Sequence, residues 1–129
     1  MKKLIYLTAL VFALSSVNAQ KPNGPVIKFE TEELNYGDII YGSDGTKMLK
    51  FTNVGTEPLI ITECLTTCGC TMPVCPQKPI MPGGSDSIKV IYDTQRLGAF
   101  NKSITINSND PAGSSYIQVK GNVIDSKKN

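Results

Sequence analysis

The sequence predicts an all-β protein, an immunoglobulin-like β-sandwich of about seven strands. Two observations lead to this fold class. Short runs in which apolar and polar residues alternate recur along the 129 residues, and the runs stop at clusters of Gly, Pro or Asn. Beyond the first 19 residues, no segment repeats its apolar residues at the spacing of a helix. A small closed barrel is the alternative arrangement of such strands.

The first 19 residues have the composition of a signal peptide. Lys2 and Lys3 supply a positive start, residues 4–14 are mostly apolar, and Val17-Asn18-Ala19 resembles a cleavage site for signal peptidase. The apolar run is shorter than the roughly 20 residues that a membrane-spanning helix needs. We therefore expect cleavage after Ala19, no membrane association afterwards, one domain over residues 20–129, and a periplasmic or secreted location.

The mature chain predicted in this way carries no net charge. The full sequence has 13 basic and 11 acidic residues, and removal of Lys2 and Lys3 leaves 11 of each. This balance does not indicate the basic surface of a nucleic-acid-binding protein. The sequence also has no histidine, which excludes a Ser-His-Asp triad and histidine-based metal catalysis. We expect neither enzyme activity nor a cofactor.

Four strands are predicted before the cysteines. They cover residues 25–30, 34–42, 47–53 and 58–63, and turn-forming residues separate them. Gly37 interrupts the second run, which predicts a bent or bulged strand at the edge of a sheet.

Three further strands are predicted after the cysteines, over residues 85–93, 101–107 and 115–124. Apolar residues that share one face of each strand should meet between the two sheets. The predicted core consists of Phe29, Leu49, Phe51, Ile60, Val90, Ile104, Ile106, Ile117 and Val119.

The stretch from Cys64 to Gly84 contains all four cysteines of the chain and is the candidate functional site. In an exported protein, an even number of cysteines predicts disulfides. If Cys64 lies on an extended strand, Cys68 is about 13 Å further along it, too far for a bond unless the chain turns. Cys75 follows Pro73, which we expect to let the chain double back and form a Cys64–Cys75 disulfide.

The two remaining cysteines, Cys68 and Cys70, are separated by one residue. A bond between them would close a small strained ring, which we expect Gly69 to permit by adopting an unusual φ. Because strained disulfides are more easily reduced, we expect this bond to be the more reducible of the two. The sequence leaves two crossed pairings open, Cys64 with Cys70 and Cys68 with Cys75, or Cys64 with Cys68 and Cys70 with Cys75.

The same sulfurs have two alternative roles. Four thiolates within twelve residues could enclose zinc, and thiolates near Met72 or Met81 would suit copper(I). The metal ligands would be Cys64, Cys68, Cys70 and Cys75. In the other alternative, Cys68 or Cys70 acts as a redox-active or nucleophilic sulfur.

Six short motifs are spread over nearly the whole mature chain. They are Tyr36-Gly37-Asp38-Ile39 with Gly42, Phe51-Thr-Asn-Val-Gly55, Pro58-Leu-Ile-Ile61, Cys68-Gly-Cys-Thr71, Pro82-Gly83 and Val119-Lys-Gly121. This set resembles a family of exported bacterial domains of unknown function, which is similar to immunoglobulin-like major-sperm-protein and PapD-like domains. The resemblance implies a fold and an exported setting, but no activity. It leads us to expect only Cys68 and Cys70, so Cys64 and Cys75 are additions in this chain.

Two functions from different classes follow from these observations. The first is an exported binding or structural module with a disulfide-closed loop, whose partner is another exported or envelope protein, as PapD-like folds can bind by strand addition. The second is a metal-handling or thiol-redox protein that uses the cluster from Cys64 to Cys75.

Overall fold

The computed structural model describes residues 23–127, which form eight β-strands in two four-stranded sheets. The predicted signal peptide, residues 1–19, lies outside the described residues. The strands are β1 (Ile27–Phe29), β2 (Glu33–Ile40), β3 (Thr46–Asn53), β4 (Ile61–Thr66), β5 (Thr71–Val74), β6 (Ser85–Tyr92), β7 (Gly98–Ser108) and β8 (Ser115–Ile124). None of the described residues forms a helix long and apolar enough to cross a membrane.

The two sheets place the cysteine stretch at one side of the sandwich. Sheet A has the order β1-β3-β6-β5 and is antiparallel, whereas sheet B has the order β2-β8-β7-β4 and pairs β2 with β8 in parallel. Strand β4 is therefore an edge of sheet B, and β5 is an edge of sheet A. The all-β, two-sheet prediction is confirmed, and two separate sheets rule out the closed barrel.

Inward-facing residues of both sheets form one core. Seven of the nine predicted core residues are buried, and Phe29 is partly buried and packs against them. These seven are Leu49, Phe51, Val90, Ile104, Ile106, Ile117 and Val119. The prediction for Ile60 is wrong, because its side chain is 43% exposed. Its neighbours Leu59 and Ile61 are buried in its place, since side chains alternate between the two faces of an extended chain.

A bulge in β4 then changes which residues face inward. The pairing of β4 with β7 shifts between Ile61 and Glu63, so that Thr62 is an extra residue in β4. An extra residue reverses the alternation of faces along a strand. Ile61 faces the core before the bulge, and Cys64 packs against the core after it. The bulge thus turns Cys64 toward sheet A.

The strand missing from the sequence prediction is β5, which lies inside the cysteine stretch. Its residues Thr71–Val74 pair with β6 in register from Tyr92 to Lys89. By contrast, the prediction of an irregular edge strand around Gly37 is confirmed. β2 is an edge of sheet B, its register shifts between Asn35 and Asp38, and Gly37 has a φ of 62°.

Candidate functional site

The structure joins the cysteines as Cys64–Cys75 and Cys68–Cys70, so the predicted pairing is confirmed over the crossed alternatives. The Cα atoms are 6.1 Å apart in the first pair and 5.2 Å apart in the second. Cys64 lies in β4 and Cys75 directly follows β5, so the first disulfide connects the edge strands of the two sheets. The second disulfide lies within the connection between these strands.

The turn that brings the cysteines together differs from the predicted one. The chain reverses in a turn over residues 68–71, where the Thr71 N–H donates to the Cys68 carbonyl oxygen at 3.3 Å. Pro73 lies inside β5 and is not the point of reversal. Gly69 does not have a positive φ, so the prediction that it adopts an unusual φ is also wrong. A side-chain Cβ at Gly69 would meet no atom within 4 Å.

The two sulfurs of the Cys68–Cys70 disulfide have different surroundings. Cys70 is 3% exposed, whereas Cys68 is partly exposed. The Cys70 N–H donates to Cys68 Sγ at 3.2 Å, and Cys70 Sγ lies 3.7 Å from Thr71 Oγ1. The Asp93 N–H donates to the Cys70 carbonyl oxygen at 2.8 Å, which anchors the turn to the end of β6. Cys68 is therefore the more exposed residue of the pair, although it also packs against the core.

An open depression of about 390 Å³ adjoins this disulfide. It is lined by Gly69, Cys70 and Met72, by residues 42–45 and by residues 91–95.

The predicted metal ligands are all engaged in disulfides. Among residues 23–127, no group of three or more His, Cys, Asp or Glu side chains is arranged to hold a metal ion. Metal binding by Cys64, Cys68, Cys70 and Cys75 would require both bonds to be reduced, because thiolates and not disulfide sulfurs are metal ligands. The metal alternative stays a prediction.

The outer faces of the two sheets differ in charge. The charged residues at outward-facing strand positions of sheet A are Lys28, Lys50 and Lys89, and these positions carry no Asp or Glu. The outward-facing strand positions of sheet B carry Glu33, Asp38, Glu63 and Lys120, and Lys120 Nζ lies 2.9 Å from Glu33 Oε1. The salt bridges within residues 23–127 involve none of the three lysines of sheet A. The outer face of sheet A thus has basic strand positions, with the exposed Glu30, directly after β1, beside Lys28 and Lys50.

An apolar patch lies on the same face of sheet A. Met48 is 54% exposed, Met72 is 57% exposed, and Val74 is 46% exposed. The pairing of strands places Met48 opposite Lys89, and Lys89 opposite Val74, while Ile91 is opposite Met72. We call Met48, Met72, Val74 and Ile91 the methionine patch. Sequence analysis missed it, although the alternation of β3 places Met48 on the face opposite Leu49.

The free edge of β5 is unsuited to strand addition. The Asp93 N–H donates to the Cys70 carbonyl oxygen, so the backbone of Cys70 points toward β6. Because the direction of the backbone N–H and C=O groups alternates along a strand, those of Thr71 and Pro73 point toward the free edge. The Thr71 N–H is bonded to Cys68, and Pro73 has no N–H. An added strand would find no donor at either position.

Side chains and turns also engage edge groups on β2. The Gln118 N–H donates to the Glu32 carbonyl oxygen, so the backbone of Glu32 points toward β8. Because the direction of backbone groups alternates along a strand, those of Glu33 and Asn35 point toward the free edge. The Glu33 N–H donates to Thr31 Oγ1, Thr31 Oγ1 donates to the Glu33 carbonyl, and Lys47 Nζ donates to the Asn35 carbonyl. On β1, which is three residues long, the N–H of Ile27 donates to Asp110 Oδ2. These edges present an interrupted ladder to an incoming strand.

A comparison with protein families gives one match over most of the chain. The family model described as Protein of unknown function (DUF1573) matches residues 27–123. No curated protein matches the sequence.

Solved structures with the same fold come from several organisms. A protein of unknown function from Porphyromonas gingivalis W83 has a TM-score of 0.71 at 24% identity, covering 84% of this chain and 51% of that one. This chain thus spans about half of that protein's length. PapD-like domain 7 of human CEP192 has a TM-score of 0.65 at 10% identity, covering 84% and 92%. SSP-19, an MSP-domain protein like family member in Caenorhabditis elegans, has a TM-score of 0.55 at 10% identity, covering 70% and 94%. At these identities, the matches show the fold alone.

Proposed function

This chain belongs to the family of proteins of unknown function DUF1573, and from that premise we propose that it is an extracytoplasmic protein-binding module. Its ligand is an extended segment of another exported or envelope protein, in which apolar residues and Asp or Glu lie on the same face. The segment lies on the outer face of sheet A, across the methionine patch. The proposal assigns no catalytic residue to the chain.

The disulfides support the extracytoplasmic location. Structural disulfides persist in oxidising compartments such as the periplasm and are rare in the cytosol. Here one disulfide connects the edges of the two sheets and the other closes the turn between them. The predicted signal peptide over residues 1–19 agrees with export.

The observation that carries the binding proposal is the combination of the methionine patch with unpaired lysines on one face. Methionine side chains adapt to different apolar partners, and are common at surfaces that bind several sequences. Lys89 separates Met48 from Val74, and Lys50 follows along β3. Asp44, in the turn before β3, has a pKa lowered mainly by hydrogen bonds from Thr46 and in part by the charge of Lys89. Apolar contact and acidic side chains in a ligand would match this surface.

The backbone groups at the strand edges also favour binding on the outer face of sheet A over strand addition. An added strand is held by a continuous series of backbone hydrogen bonds. The edge of β5 lacks donors at Thr71 and Pro73, and the edge of β2 is partly satisfied by Thr31 and Lys47. The exposed side chains of sheet A need no such ladder.

The proposal is tested with protein purified after expression of the full-length chain. Two synthetic ten-residue peptides serve as probes, one repeating Leu-Leu-Glu-Glu and one repeating Leu-Leu-Lys-Lys, so that each face of the extended peptide carries both residue types. We expect the acidic peptide to bind and to shift amide resonances of β3, β5 and β6 in NMR spectra. Salt should weaken the binding, because the lysines are exposed.

Charge-reversal variants identify the surface. The double substitution Lys50→Glu and Lys89→Glu should weaken binding of the acidic peptide about tenfold or more. Lys127→Glu is the matched control, since Lys127 is exposed beyond β8, and should leave the affinity unchanged. Failure of the acidic peptide to bind overturns the proposal, as does a shift pattern on sheet B or along the edge of β2.

A further inference from the structure

The two disulfides differ in what they hold together. The Cys64–Cys75 bond joins β4 of sheet B to the residue directly after β5, which is the edge strand of sheet A. Cys68–Cys70 spans one intervening residue within a turn. If it opened, β5 would still be held by Cys64–Cys75, by its pairing with β6 and by the hydrogen bond from Asp93 to Cys70. The Cys68–Cys70 bond can therefore break while the strands keep their places.

Another protein can reach this disulfide from one direction. The side chain of Cys70 is buried, so an incoming thiolate meets Cys68 Sγ first. Gly69 between them is exposed, and no atom lies within 4 Å of where its Cβ would be. An open depression, with Met72 and Tyr92 among its lining residues, adjoins this turn on the side of Gly69 and Cys70.

Hydrogen-bond donors lie next to both sulfurs. The Cys70 N–H points at Cys68 Sγ from 3.2 Å, and Thr71 Oγ1 is 3.7 Å from Cys70 Sγ. Donors to sulfur favour the thiolate, which is both the attacking and the leaving form in disulfide exchange. The Thr71 hydroxyl would offset part of the cost of placing a negative charge on the buried Cys70.

We propose that Cys68–Cys70 is a thiol–disulfide exchange site for protein dithiols, a function separate from peptide binding on sheet A. A thiolate of the partner attacks Cys68 Sγ, the bond between the two cysteines breaks, and Cys70 leaves as a thiolate that takes a proton from solvent. The second thiolate of the partner then attacks the partner's sulfur in the mixed disulfide and releases Cys68. In sum, the partner dithiol is oxidised to a disulfide, and Cys68–Cys70 is reduced to two thiols by two electrons.

The test measures which cysteines are reduced in the folded protein. Protein expressed from the full-length chain is incubated without oxygen and without denaturant in rising concentrations of dithiothreitol, then quenched with acid and alkylated. Peptide mass mapping should show that Cys68 and Cys70 are alkylated at least about tenfold faster than Cys64 and Cys75. One oxidised dithiothreitol should form per chain during this first phase. Circular dichroism should report an unchanged β-sheet content.

A second probe tests the direction of attack. With reduced glutathione, the mixed disulfide should form on Cys68 rather than on Cys70. The Cys64→Ser, Cys75→Ser double variant, if folded, should exchange at the same rate as the parent at Cys68–Cys70. The proposal is overturned if Cys64–Cys75 is reduced first, if both bonds open only in denaturant, or if glutathione is found on Cys70.

Discussion

Asn53, at the end of β3, shows how one buried polar residue organises its surroundings. It is fully buried, and its side-chain Nδ2 donates to the carbonyl oxygens of Glu57 at 2.8 Å and Ile80 at 2.9 Å. Its Oδ1 accepts from the backbone N–H groups of Gly55 at 3.0 Å and Val26 at 3.3 Å. The amide of Asn53 thus forms hydrogen bonds with three segments, which are the residues before β1, the turn after β3 and Ile80 in the segment before β6.

Replacement of this amide should be costly. Asn53→Ala removes four hydrogen bonds and takes the Oδ1 acceptor from the N–H groups of Gly55 and Val26, so we expect it to lower the free energy of unfolding by about 3 kcal/mol. Urea unfolding followed by circular dichroism measures the change. Asn101→Ala is the matched control, because Asn101 is exposed, and should stay within about 0.5 kcal/mol of the parent. A loss of under 1 kcal/mol for Asn53→Ala would contradict the assigned role.

At the scale of elements, the long strands could be predicted from the sequence, whereas the short strand β5 and the bulge in β4 could not. Alternation in residues 85–93 and 115–124 predicts strands with the correct inward residues, because one face of each is buried. Strand β5 was missed since Thr71–Val74 contains a proline and pairs over only four residues. The bulge in β4 has no local sequence signature, so the inward direction of Cys64 could not be read before the pairing with β7 was known. The cysteine pairing was predicted correctly, but the position of the turn was not.

Tyr36 connects an edge strand of sheet B to sheet A. Its ring packs edge-on against Phe100 with centroids 5.7 Å apart, and Lys47 Nζ lies 5.3 Å from its centroid. Its Oη is 2.9 Å from the Gly45 carbonyl and 3.1 Å from the Val90 carbonyl, so the hydroxyl donates across the gap between the sheets. Ionisation would remove this donor.

Stability should therefore fall at high pH. Burial, with a smaller contribution from the charge of Asp44, raises the pKa of Tyr36 from 10.0 to about 12. Because the folded state holds the proton more tightly, the contribution is complete below pH 10 and is lost as the pH rises toward 12. Urea midpoints measured across this range should fall less steeply for Tyr36→Phe than for the parent. Parallel curves for the two proteins would show that Tyr36 is not responsible.

At the scale of the whole molecule, the cysteine stretch connects the two sheets at one side of the sandwich. The two sheets share one core, and the main-chain connection from β4 to β5 crosses from one sheet to the other at the Cys68–Cys70 turn. The Cys64–Cys75 disulfide makes a second crossing at the same side. This arrangement leaves the outer face of sheet A open. The proposed surfaces for binding and for thiol exchange adjoin each other, because Met72 and Ile91 of the methionine patch also line the depression beside the turn.

Removal of the disulfides one at a time should separate their roles in stability. In the chain-entropy model, a bond that closes a loop of about 12 residues contributes about 2.8 kcal/mol, whereas one that closes about three residues contributes about 1.6 kcal/mol. We expect the Cys64→Ser, Cys75→Ser variant to lose more stability in urea than the Cys68→Ser, Cys70→Ser variant, with the same β-sheet spectrum for the second. A larger loss for the second variant would mean that the turn disulfide, and not the one between the edge strands, holds β5 against the sandwich. The turn bond could then no longer open without disturbing the fold, and the exchange chemistry assigned to it would lose its structural basis.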